Sequence, residues 1–218
     1  KVLQLALLGQ LDLGRATDIV TDTMNAMHLA VEDLSKVNDV FAKTVTTSNT
    51  NVEMLGQTMK FAAPVAGELG YSLEQVFAMA ATLSQSGLKS GIAGRGMQTA
   101  MVKATAISKE WGMESHNLVD VLKEIEKRQL SVTEISKLFG LQALKTVLVL
   151  KGNIDKFEEY ETSLEGASGA SDKMAKVIGH TTAGALKKLS SALQAVVEAG
   201  FARYAQQLSD AFRDLAKW

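Results

Sequence analysis

The stretch Gly87-Leu-Lys-Ser-Gly-Ile-Ala-Gly-Arg-Gly-Met-Gln-Thr-Ala-Met101 decides how this chain is read. Before it lies Leu73-Glu-Gln-Val-Phe-Ala-Met-Ala-Ala-Thr-Leu-Ser-Gln-Ser86, an apolar run with helical character, and apolar positions resume at Met97, Met101 and Ala104. The expected form is a helix–turn–helix corner. Glycines at 87, 91, 94 and 96 omit side chains where the two flanking helices turn back and touch. Gly87 and Gly91 are four apart and would share a face on a helix. A phosphate-binding loop would need Gly-x-x-x-x-Gly-Lys-Ser/Thr after a strand, and neither is present.

Working outward, helix starts repeat one device. Tyr71-Ser-Leu-Glu-Gln-Val76 and Leu130-Ser-Val-Thr-Glu-Ile135 each place a serine cap three residues before an amide or carboxylate, between two apolar residues. The serine can accept from a first-turn N–H while the Gln or Glu reaches back, and the apolar pair staples the entry. Thr50-x-x-Glu53 has the box without the staple, and Leu29 with Leu34 has the staple without the cap. The pattern predicts helices near 2–9, 14–28, 31–47, 51–69, 73–86, 91–110, 117–128, 132–150 (with Gly140 the candidate break), 153–165 and 171–218. In the fourth, Val52, Leu55, Met59, Ala62, Ala66 and Leu69 form one stripe. Pro64 sits inside it and is expected to kink or break the helix at the Lys60 carbonyl, and Gly70 is expected to stop it. Only Val147-Leu-Val-Leu150 could be a strand, and its flanks read as buried helix. The fold class is therefore all-α.

The last segment differs. Val197, Phe201, Tyr204, Leu208, Ala211, Leu215 and Trp218 alternate gaps of four and three, a heptad seam. Glu165-Gly-Ala-Ser-Gly-Ala-Ser171 is the best linker in the chain. Two parts are expected: a compact multi-helix domain over 1–166 and a long C-terminal helical arm over 167–218, the start of a coiled-coil rod.

Composition narrows the function. The 218 residues carry 23 basic and 24 acidic side chains, a formal charge of -1, which argues against a nucleic-acid groove. No cysteine is present, so thiolate metal sites and nucleophiles are excluded. No apolar run approaches the roughly 20 residues of a membrane span, and no signal peptide is visible. The first residue is Lys1 rather than Met, so a piece of a longer protein is expected.

Taken in order, Asp18-Ile-Val-Thr-Asp-Thr-Met-Asn25, Val37-Asn-Asp-Val-Phe-Ala-Lys-Thr44, Ala62-Ala-Pro-Val-Ala-Gly-Glu-Leu-Gly70, Gln85 to Met97, Leu138-Phe-Gly140 and the Leu-rich end resemble the shared helical region of phage tail tape measure proteins, from about residue 5 to 215. His28 stands where the resemblance implies a corner glycine. The resemblance implies a structural protein of a phage or phage-like tail. It would run through the tube lumen during assembly, set the number of stacked rings and leave ahead of the DNA. Implied partners are copies of itself in a trimer or similar bundle, tail tube proteins, tail-tip or baseplate proteins and, for some members, the host envelope. No specific nucleic acid is implied. The implied location is the virion, in the tube lumen or tail tip, after assembly in the host cytoplasm. The matched region is the more compact part of such a ruler and would not itself encode tail length.

Chemistry offers little competition. His28, His116 and His180 are far apart and form no metal-ligand pair, so each is expected at a surface or corner. Glu158, Glu159 and Glu161 flank Tyr160, and a solvated helix face near Lys156 explains them better than acid–base work. No catalytic residue, cofactor or metal is expected. Two rival readings are a membrane-active helical segment released at infection, suggested by the small residues of 91–106, and an α-helical adaptor or enzyme unrelated to phage.

Overall fold

The structure, a computed structural model, describes residues 1–179. The chain divides into two units, Lys1–Ala175 and Lys176–Trp218, and the first is the one described below. The expected arm over 167–218, with seam residues Val197, Phe201, Tyr204, Leu208 and Leu215, lies outside the described residues past Gly179.

In chain order the helices are α1 (Val2–Gly9), α2 (Leu13–Ala26), a single 3-10 turn (Val31–Asp33), α3 (Leu34–Thr47), α4 (Val52–Glu68), α5 (Leu73–Gln85), α6 (Ser90–Glu110), α7 (Leu118–Lys127), α8 (Val132–Lys151), α9 (Ile154–Glu165) and α10 (Ala170–Gly179). No strand occurs among the described residues, and Val147 to Leu150 are helical within α8. The all-α reading holds.

Helix starts follow local chemistry. Ser72 with Gln75 and Ser131 with Glu134 close both capping boxes. The third start differs from expectation. Asn51, not Thr50, caps α4 by accepting from the Met54 N–H at 2.8 Å, and Glu53 turns away to Arg15. Asn is a stronger cap than Thr, and the Arg15 pair competes for the carboxylate that the box would need.

Helix ends follow a second device. At six corners a residue with positive φ is followed by an apolar one whose N–H bonds a carbonyl five residues back: Gln10-Leu11, His28-Leu29, Gly70-Tyr71, Gly87-Leu88, Gly112-Met113 and Gln129-Leu130. The closure satisfies an orphan carbonyl of the last turn, and the apolar residue packs back onto the core. The helix is stopped and the next one is aimed in the same step.

α5 is the axis. Nearly every position from Leu73 to Ser84 is buried, on all sides. A helix apolar all round must be enclosed by others, and α3, α4, α6, α8 and α9 all touch it. Phe77 of α5 meets Phe41 of α3 edge to face, with centroids 4.7 Å apart. Met79, Leu83, Met97 and Met101 fill the centre completely enclosed, each contributing about 1.5–3 kcal/mol of burial. Methionine suits this gap-filling because it bends without branching.

The glycines of the opening stretch act differently from the expectation. Gly87 makes the turn after α5, but Gly91, Gly94 and Gly96 lie inside α6, so Gly87 and Gly91 do not share a helix face. Their neighbours are not on α5. A Cβ on Gly94 would sit 2.5 Å from the Thr58 carbonyl of α4, and one on Gly96 would sit 1.9 Å from the Thr146 hydroxyl of α8. Gly91 lies against Phe61 of α4 and Arg95. The run is a close-contact face between α6 and the helices on either side of it, because the chain after Gly87 leads α6 away from α5 and across α4.

Pro64 does not break α4, which runs as one element from Val52 to Glu68. Pro64 and Lys60 are both exposed, so water can serve the carbonyl that the missing N–H leaves free. Gly140 does break α8, with φ 75 and ψ 167.

The linker is not loose. The compact unit runs to Ala175, past the cut expected at 166. Ala167 is buried in the core, and Asp39 of α3 accepts from the Gly169 N–H at 2.9 Å, the Ser171 N–H at 3.0 Å and the Ser171 hydroxyl. A composition of Gly, Ala and Ser cannot reveal that a carboxylate from another helix holds it.

Candidate interaction surfaces

The expected turn and kink residues do not gather at one place. Pro64 and Gly70 are on α4 and its end, Gly87 ends α5, and Gly91 and Gly94 are inside the α4–α6 contact. Their common work is positioning helices.

A groove of about 540 Å³ lies between α2 and α4. It exists because Gly56 lets α4 approach Ile19 closely: an added Cβ would lie 2.8 Å from Ile19. Ile19, Ala26 and Met59 form apolar wall, and Asp22, Asn25, Lys60 and Pro64 line it with polar groups and the proline ring. Arg15 also lines it but is clamped by Glu53 through Nε at 2.9 Å and Nη2 at 2.6 Å. That clamp, helped by Gln57, holds the Glu53 carboxyl below its usual range. Asp22 and Lys60 balance each other in sign, so the groove carries no net charge to select an ion.

A smaller recess of about 260 Å³ is lined by Thr82, Gln85, Asn153, Lys156 and Tyr160. The Tyr160 hydroxyl accepts from Gln85 at 2.8 Å and donates to the Thr47 carbonyl at 3.3 Å, joining α9 to α5 and α3. Of the acidic run beside it, Glu158 pairs with Lys123 of α7 at 2.6 Å and Glu159 with Lys156 at 3.1 Å. Burial, with Glu165 and Glu158 nearby, pushes the Glu161 carboxyl up despite a bond from Gln75. These carboxylates are tied by cations or structural bonds and do not converge on a common point.

The histidines also stay apart. His28 takes a left-handed conformation at the α2 corner, φ 54, and reaches Glu68 at 3.1 Å. His116 Nδ1 lies 2.7 Å from the hydroxyl of buried Ser108. His180 lies outside the described residues. No group of three His, Asp or Glu residues placed to hold a metal occurs among the described residues, and none of their helices is long and apolar enough to cross a membrane.

The sequence reading missed the corner that holds α7. Buried Tyr71 accepts the Leu118 N–H at 2.7 Å, a free first-turn donor of α7. Burial drives the phenol up to about 12, against the pull of that N–H. Arg128 lies over Trp111 at 4.1 Å from its centroid. Only the Asn117 cap of α7 had a sequence signal, an asparagine before an apolar-periodic run.

Large apolar residues are also exposed on two helices. α6 and α8, packed on each other, carry Ile92, Val102, Val132 and Leu141, all strongly exposed, Leu141 at 81%. The same helices also carry Lys103, Lys109 and Lys145, exposed and joined to no carboxylate among the described residues, the exposed Glu110 and Glu134, and Arg95, which lies over Phe61 at 5.0 Å. α9 carries the opposite sign, with Asp155, Glu158, Glu159, Glu161 and Glu165 against one lysine.

A family model described as "Phage-related minor tail protein" matches residues 1–212. The chain is 22% identical to the "Tape measure protein" of Pneumococcus phage Dp-1, covering 89% of this chain and 19% of that protein. It is also 22% identical to the "Probable tape measure protein" of Escherichia phage P2, covering 89% of this chain and 27% of that protein. The chain thus spans well under a third of the length of these relatives. No solved structure matches it.

Proposed function

The chain belongs to the phage-related minor tail protein family, and from that membership we propose that it is the compact helical segment of a tape measure protein in a phage or phage-like tail. The observation that carries the reading is the family match across residues 1–212, nearly the whole chain. The fold is in keeping with it. Apolar surface is spent on helix contacts, and Glu53, Glu74, Glu124, Glu158 and Glu159 are engaged in ion pairs with lysines or arginines.

In this reading the segment is structural and catalyses nothing. Its partners are other copies of the same chain, in a trimer or similar bundle, together with tube and tail-tip or baseplate proteins. The strongly exposed apolar residues of α6 and α8, Ile92, Val102, Val132 and Leu141, support this, being open to contact with another chain. The location is the virion tail, in the lumen or at the tip, after assembly in the host cytoplasm. The full protein contributes to tail-length determination, assembly and genome delivery, while the compact segment serves as a folded module within it.

The test is an epitope inserted at the exposed turn near Gly112 in a phage that encodes this chain, followed by antibody labelling of purified tails under the electron microscope. Label at the tail tip or along the tube is expected. Tails of normal length and infectivity that lack the protein altogether would overturn the proposal.

A further inference from the structure

Residues 166–171, Gly-Ala-Ser-Gly-Ala-Ser, have the composition of a flexible linker. Yet Asp39, 4% exposed on α3, receives three hydrogen bonds from Gly169 and Ser171. Those N–H groups belong to the entry of α10, where the first donors of a helix have no partner of their own. The partner comes from a residue 130 positions earlier. A carboxylate suits this place because it accepts more than one bond and faces the positive end of the helix dipole.

A second set of contacts lies beside the first. Asp172 of α10 is bonded by the Lys1 ammonium and by Gln4 Nε2, the latter at 2.6 Å. Lys1 also approaches Asp39 at 4.0 Å. The charged groups that meet at Asp39 are therefore Lys1 from α1 and Asp172 from α10. The nearest cation along α3, Lys36, is engaged by Glu74 of α5 at 2.8 Å. Apolar anchorage of the strap is slight: Ala167 is buried, but 168 to 170 are exposed or half-buried.

We propose that Asp39 is a latch: its carboxylate turns 166–171 from a tether into a fixed strap, and its loss frees 166–175 while α2 to α9 stay folded. The device gives one domain two tether lengths for whatever follows α10. Held, 166–175 belongs to the compact unit. Released, it gives about ten residues of reach, on the order of 15–30 Å.

The test is hydrogen exchange with peptide resolution on the full chain at neutral pH, comparing the parent with Asp39→Asn and Ser171→Ala. Bonds to a charged group are worth about 1.5–3 kcal/mol, so D39N is expected to speed exchange over 166–175 by roughly tenfold to a hundredfold. S171A, which removes one of the three bonds, is expected to fall between parent and D39N. Peptides from α4, α5 and α6 should exchange as in the parent for both variants. Unchanged exchange over 166–175 in D39N would overturn the latch. So would equal loss of protection in α4 to α6, which would make Asp39 a support of the whole fold. S171A guards against a D39N chain that fails to fold, because faster exchange confined to 166–175 in S171A is required in either case.

Discussion

At the scale of single residues, backbone conformation and charge make separate demands. His28 and Gln129 occupy left-handed corners where their side chains are strained, and a glycine there avoids a cost of roughly 1–2 kcal/mol per residue, partly offset by the entropy glycine loses on folding. H28G and Q129G are each expected to raise thermal stability by about 0.5–1 kcal/mol. Differential scanning calorimetry reads this, and a fall in midpoint for Q129G, whose side chain makes no hydrogen bond among the described residues, would refute the strain argument. Asp39 sets a pH dependence. Burial pushes its carboxyl up, but the Ser171 hydroxyl, the two strap N–H groups and Lys1 together outweigh that and hold it below its ordinary value. A carboxyl whose folded value is depressed stabilises the fold above its unfolded value of about 3.9, and this stability is lost as pH falls through the lower, folded value. Protection of 166–175 is therefore expected to be flat from pH 7 to about 5 and to decline below 4. D39N should remove that acid dependence.

At the scale of helices, close approach and end closure decide how elements meet. Gly94 faces backbone, the Thr58 carbonyl, whereas Gly96 faces a side chain, the Thr146 hydroxyl. G94A is expected to destabilise by about 1–3 kcal/mol or more, because α4 and α6 must separate. G96A is expected to cost a similar amount, but the double variant G96A with Thr146→Ala should recover much of it, the signature of two residues in direct contact. Denaturant unfolding of the four chains checks this, and additive losses would show that the contact is not the cause. The start of α7 depends on Tyr71. Tyr71→Phe keeps the ring and removes the acceptor of the Leu118 N–H, at an expected cost of about 1–3 kcal/mol for an orphaned buried donor. Faster exchange confined to α7 and its entry would accompany it.

Over the whole molecule, the boundary of the compact unit is the question. A chain ending at Ala175 keeps Ala167 in the core and Ser171 on Asp39, while one ending at 166 lacks both residues and takes from the Asp39 carboxylate its three strap donors. The shorter chain is expected to unfold at a lower temperature, with a loss of at least about 1–3 kcal/mol, while the chain ending at 175 should unfold cooperatively. Equal midpoints would place the boundary at the linker that composition suggests.

The order of helices, the spans of α1 to α9 to within a few residues, both serine capping boxes, the break at Gly140 and the all-α class were open to reading from residues alone. So was the family resemblance. These features rest on interactions between positions three to five apart, which periodicity and caps record directly. The non-glycine corners at Gln10, His28 and Gln129 were not legible, since no side chain there advertises positive φ; only the apolar residue that follows each of them hints at the closure. Which helix Gly94 and Gly96 would touch, that Asn51 rather than Thr50 would cap α4, that Tyr71 would hold α7 and that Asp39 would pin a linker 130 positions away were settled by tertiary packing. Such contacts join segments remote in the chain, and their partners exist only once the helices have found their places around α5.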